Sequence, residues 1–145
     1  SRPVALVIAN WAYDYLQSLP SARQDGLDMN ELFEKTGYYV IFELNVKRAD
    51  LDSLKKQLLQ RLNGVENAVV PIYFAGHGYE VAGVQYLAPI DAREGDESSL
   101  VPLSSLLELP RTAHLRKTAA NNSCDVLNKA LFVFFLDMCR KPVRE

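Results

Sequence analysis

The 145-residue chain is 48% hydrophobic and 23% charged, an ordinary globular composition with length for one domain that buries roughly two-thirds or more of its unfolded surface. A net charge of −2 gives no electrostatic case for a nucleic-acid partner, and no apolar run approaches the ~18 residues of a membrane span, so no membrane partner is expected either. Two cysteines are too few for a disulfide scaffold and suit a reducing, cytoplasmic setting.

Ser1-Arg2-Pro3 leads straight into Val4–Asn10, an apolar run predicted as the first core strand, with no secretory signal before it. Trp11 to Ser21 reads as a loop, and a helix follows from about Ala22 to Thr36 with Leu27, Leu32 and Phe33 as its apolar stripe and Gly37 as its stop. Tyr38–Leu44 is rich in aromatic and β-branched residues and reads as a strand. Ala49–Leu62 carries Leu51, Leu54, Leu58, Leu59 and Leu62 at helical spacing. Ala68–Ala75 is the next core strand, awkward at Pro71 and expected to break at Gly76-His77-Gly78. Tyr79–Leu87 reads as a small hairpin turning near Ala82-Gly83. Pro89–Ser99 is an acidic loop, Pro102–Leu109 a short helix, and 111–129 a polar loop. Leu131–Leu136 is wholly apolar and runs directly into Asp137-Met138-Cys139-Arg140. Such a run suits a strand buried on both faces of a parallel sheet. Strands alternating with helices predict an α/β fold: a mostly parallel sheet with helices on both faces.

Two apolar strands therefore lead to reactive groups, His77 and Cys139. Parallel neighbours would bring both to the carboxyl edge of the sheet, where open α/β folds place their ligands. A thiol is a weak nucleophile at neutral pH, and a nearby imidazole raises its thiolate fraction. The amides of Gly78 and Cys139 form a candidate oxyanion hole for a tetrahedral acyl intermediate. The bland alternatives are a core cysteine and a structural histidine. His114 and Cys124, the other members of their types, fall in the polar stretch, where no strand aims them. Their spacing does not make a zinc site, and no metal or other cofactor is expected.

Tyr73-Phe74-Ala75-Gly76-His77-Gly78-Tyr79-Glu80 and Phe135-Leu136-Asp137-Met138-Cys139-Arg140-Lys141 resemble the two catalytic blocks of the paracaspases, within the caspase–metacaspase superfamily of cysteine peptidases. Ala5–Asn10 followed by Tyr13, and Tyr86–Ala92, match in type and order. The resemblance implies a caspase-like three-layer sandwich, a His77–Cys139 dyad and Gly78 as oxyanion donor. Cys139 stands 62 positions after His77 (139 − 77), against about 50 in the caspase signature Gln-Ala-Cys-x-Gly. The residue two before the cysteine is Asp137, not glutamine. Superfamily members with an acid there cut after arginine or lysine, and a carboxylate floor does pair with a guanidinium while repelling an acid. By the same resemblance Asp25 is the pocket's second acid, with Asp28 the alternative. Arg23 raises the opposite reading, a site for acidic substrates.

The superfamily sheet continues beyond the nucleophile into a small-subunit half, which these 145 residues lack. The expectations are therefore a single large-subunit domain over 1–145, poor peptidase activity of this piece alone, and a homodimer or small-subunit partner in the full protein. The partners acted upon are protein or peptide substrates with Arg or Lys before the scissile bond. Two other classes stand beside this one. One is a catalytically silent caspase-like scaffold; the other is a ligand-binding doubly wound domain, disfavoured because no Gly-x-Gly-x-x-Gly or P-loop is present.

Overall fold

The two longest apolar runs of the sequence pair with a third. In a computed structural model that describes residues 2–65, 67–105 and 131–142, with backbone alone for Phe132 and residues 139–142, β1 (Val4–Ala9) lies between β2 (Tyr39–Leu44) and β3 (Val69–Val81). Both pairings are parallel, in register Val4↔Tyr39 and Leu6↔Ile72. On its other side β3 pairs in parallel with β6 (Leu131–Pro142), from Val69↔Leu131 to Glu80↔Pro142. β4 (Val84–Leu87) folds back antiparallel on the end of β3, and β5 (Val101–Pro102) pairs with β4. The sheet is mixed, with α1 (Pro20–Lys35) on one face and α2 (Leu51–Leu62) on the other, as an α/β fold requires.

The two faces follow from strand alternation. Leu6, Ile8, Ile72 and Phe74 turn to α2, where they meet Leu51, Leu54, Leu58 and Leu62. Each buried leucine contributes about 1.5–3 kcal/mol. Val7, Ala9, Tyr73 and Ala75 turn to α1 and meet Ala22, Met29 and Phe33. On β6, Phe134, Leu136 and Met138 pack against the α2 core, while Phe135, two residues before Asp137, is 46% exposed.

Several expectations are corrected. β3 does not break at Gly76-His77-Gly78; it runs on to Val81, because β4 and β6 supply backbone partners on both of its edges. β6 likewise continues past Leu136 to Pro142. Of the stripe expected on α1, Phe33 packs against the sheet but Leu32 is 53% exposed; Ala22, the buried Gly26 and Met29 complete the contact face. A Cβ on Gly26 would collide with the Ala9 side chain, so the small pair lets the helix lie directly on β1. Pro20 is the first residue of α1, where a missing N–H costs nothing. Pro102 closes β5 and the chain is helical from 103 to 105; the rest of the expected Pro102–Leu109 helix, the 111–129 loop, His114 and Cys124 lie outside the described residues.

Other expectations hold. The hairpin turns at Ala82 (φ 49°) and Gly83 (φ 82°), two positive φ values in succession as a two-residue type I′ turn demands. Gly37 ends α1 at φ 96°. Pro71 is tolerated inside β3 because the ladder with β1 begins one residue later, at Leu6↔Ile72.

Candidate active site

β1 ends at Ala9, but β3 continues, so the carboxyl edge is stepped. The loop after β1 fills the step. Asn10, 1% exposed, donates from Nδ2 to the carbonyls of Val46 (3.4 Å) and Ala88 (3.3 Å) and accepts the Val46 N–H at Oδ1 (2.8 Å). It ties the ends of β1, β2 and β4 together. Asn45, at φ 54°, accepts the N–H groups of Trp11 (3.1 Å) and Ala12 (3.0 Å) and so steers the same loop.

His77 lies beside this step, within β3, and is 5% exposed. Its Nε2 is 2.7 Å from the carbonyl oxygen of Gln17. A carbonyl only accepts, so Nε2 carries the hydrogen and the neutral ring keeps Nδ1 as its unprotonated nitrogen. The His77 N–H donates to the Tyr13 hydroxyl (2.9 Å), and its carbonyl accepts the Ala88 N–H (3.0 Å). Both bonds lie on the β1/β4 edge. By alternation the N–H of Gly78 faces the opposite edge, toward β6. A Cβ at Gly78 would meet the Met138 side chain at 2.9 Å, which is why the residue after the histidine must be small.

Cys139 occupies the register position directly opposite His77, and Asp137 the position opposite Ala75. Asp137 accepts the hydroxyl of Tyr73 at Oδ2 (3.2 Å). It also neighbours Asp25 of α1: partial burial first, and the Asp137 carboxylate next, hold the Asp25 carboxyl above its usual range. Burial and the same carboxylates push the Tyr73 hydroxyl well up, which keeps it a donor to Asp137. Asp28 is exposed and accepts from Gln24 Nε2 (2.7 Å) one turn earlier. Of the two helix acids, Asp25 is therefore the one brought to Asp137. Arg23 is exposed, its guanidinium 5.7 Å from the centre of the Trp11 ring. Among the described residues no group of three or more His, Cys, Asp or Glu could hold a metal ion.

A family model described as Caspase domain matches residues 2–145. The chain belongs to the caspase domain family. Two relatives share 28% identity with it over 140 residues: mucosa-associated lymphoid tissue lymphoma translocation protein 1 of Homo sapiens and its homolog of Mus musculus. The match covers 95% of this chain and 15% of each relative, so the chain spans about 15% of the length of those proteins. The resemblance drawn from the His77 and Cys139 blocks, to a paracaspase-like member of the caspase family, is borne out.

Three contributors to the edge of this caspase domain escape a reading of residue types. Gln17 acts through its backbone carbonyl, which no side-chain pattern signals. Tyr73 sits within an apolar strand, but a core tyrosine needs a partner for its hydroxyl, and that need was a usable signal. Asn10, a polar residue ending a buried strand, was another.

Proposed function

We propose that this caspase domain is a cysteine-type endopeptidase that cuts after arginine or lysine, with Cys139 as nucleophile and His77 as its base. The observation that carries the reading is the β3–β6 register: His77 and Cys139 stand opposite one another within the two parallel strands. The Gln17 carbonyl holds the Nε2 hydrogen, which leaves Nδ1 to take the thiol proton. The Cys139 thiolate then attacks the scissile carbonyl carbon. The imidazolium returns its proton to the departing amine, and water, deprotonated by the same nitrogen, releases the acyl group from sulfur. In this reading the amides of Gly78 and Cys139 meet the developing charge on the carbonyl oxygen, which requires the Gly78 N–H to turn from β6 to the substrate.

Asp25 and Asp137 supply the specificity. Two carboxylates held close repel each other, and a guanidinium or ammonium between them relieves that repulsion while gaining charge-assisted hydrogen bonds. An aspartate side chain there would add a third negative charge. The substrates are therefore proteins with an exposed Arg or Lys, in a regulated-proteolysis role, and the acting form includes a second copy or a small-subunit partner.

A second reading, a catalytically silent caspase-like module, is favoured by one observation. β3 and β6 stay paired beyond Cys139, to Glu80↔Pro142, and the Gly78 N–H faces that strand rather than an open cleft. An arginyl chloromethyl ketone applied to the intact protein separates the two. Labelling that vanishes in Cys139→Ala supports the peptidase; absence of labelling in the natural sequence, or labelling of Cys124 instead, rejects the dyad.

A further inference from the structure

We infer that Tyr13 is a positioning residue for His77: its hydroxyl takes the place of the β1 backbone beyond the end of that strand and locks the histidine to the loop after β4.

The β1–β3 ladder ends at Ala9↔Ala75, with one further bond from Asn10 N–H to the Ala75 carbonyl (2.8 Å). The next N–H on that edge of β3 belongs to His77, and it is buried. It donates to the Tyr13 hydroxyl (2.9 Å), which donates in turn to the Ala88 carbonyl (3.0 Å). Ala88 closes the circuit by donating its own N–H to the His77 carbonyl (3.0 Å). Only a neutral hydroxyl both accepts and donates in this way, and a phenylalanine could do neither. The Tyr13 ring also packs edge-on against the imidazole, with centroids 4.7 Å apart at 62°. Tyr13 and Gln17 belong to the same loop between β1 and α1, so that loop holds the histidine at two points, its main chain and its Nε2.

Gly76 fits the same arrangement. A Cβ there would stand 2.6 Å from the Tyr13 hydroxyl oxygen and 2.7 Å from the Phe74 ring. The glycine before the histidine leaves the room into which the phenol reaches.

The inference rests on His77 being the base, and the test separates the two. In the intact protein, kcat for an arginyl peptide is measured per site titrated with arginyl chloromethyl ketone, so that loss of folded protein does not register. Tyr13→Phe is expected to lower kcat per titrated site about 10-fold to 100-fold, the scale of a misplaced catalytic group, with KM little changed. Gly76→Ala should act in the same direction, and its effect should shrink in the Tyr13→Phe background, where the oxygen it strikes is gone. Wild-type kcat per titrated site in Tyr13→Phe overturns the inference. Where Tyr13→Phe does not fold, wild-type kcat in Gly76→Ala overturns it instead. Turnover that survives in His77→Ala overturns the dyad itself; an inactive His77→Ala beside a fully active Tyr13→Phe overturns only the role of Tyr13.

Discussion

Asp137→Asn tests the substrate pocket by removing one charge and little volume. In the structure Asp137 is exposed, accepts from Tyr73 at 3.2 Å and raises the Asp25 carboxyl. A hydrogen bond to a charged partner is worth about 1.5–3 kcal/mol, and exposure brings the value toward the lower end. At 1.4 kcal/mol per factor of ten, kcat/KM for an arginyl substrate should fall about 10-fold to 100-fold. The asparagine still accepts from Tyr73, so the end of β6 should keep its place, and alkylation of Cys139 by a small neutral reagent should keep its rate. The substitution also removes one cause of the raised Asp25 titration while burial remains. The acid limb of kcat/KM for basic substrates, where it reports Asp25, should therefore move to lower pH. Steady-state kinetics with matched arginyl and uncharged peptides reads all of this. Parallel loss of peptide turnover and small-reagent alkylation would refute the reasoning, because it would make Asp137 a structural residue of β6.

Three further outcomes follow from the same packing. Asp25→Asn should weaken arginyl-substrate binding yet stabilise the fold slightly. A carboxyl titrating higher in the folded than in the unfolded state costs stability above its folded pKa and nothing below its unfolded one, so the gain should appear in neutral thermal melts and vanish in acid. Gly26→Ala gains about 1 kcal/mol of helix propensity, but pressing a methyl against Ala9 costs about 1–3 kcal/mol; net destabilisation with a raised KM for arginyl peptides is expected in denaturant and kinetic assays. Asn10→Ala strands the buried Val46 N–H and should cost about 1–3 kcal/mol in chemical denaturation, the penalty for an unmet buried donor.

Much of the architecture could be read from the chain because it depends on burial. Val4–Ala9 has no polar residue to turn toward water and is an inner strand, buried throughout; Leu131–Leu136 pairs in parallel as its composition predicts, but it is not buried on both faces, since Leu131 and Phe135 are exposed. The leucine spacing of α2 names its buried face correctly at Leu51, Leu54, Leu58 and Leu62. The misreadings have a common origin in tertiary partners. Glycine spacing at 76 and 78 suggests a break, yet ladder partners on both sides keep β3 extended. Leu32 looks like core by type, but α1 approaches the sheet so closely that Ala22 and Gly26 occupy the contact and leucine is turned out. At the edge, His77, Cys139, Asp25 and Asp137 were visible through the resemblance of their blocks. Parallel strands were also expected to bring His77 and Cys139 to one edge; what was not legible is how α1 is set against the sheet, through Gly26 and Ala9, and the Gln17 carbonyl that holds the imidazole.

His77 is held from both edges of its strand. β3, which carries it, is bonded to β1, β4 and β6. Opening free energies scale with such support, so amides around His77 should exchange with solvent only when much of the domain opens. The imidazole is thus the fixed reference of the site, against which the thiol and the substrate must align.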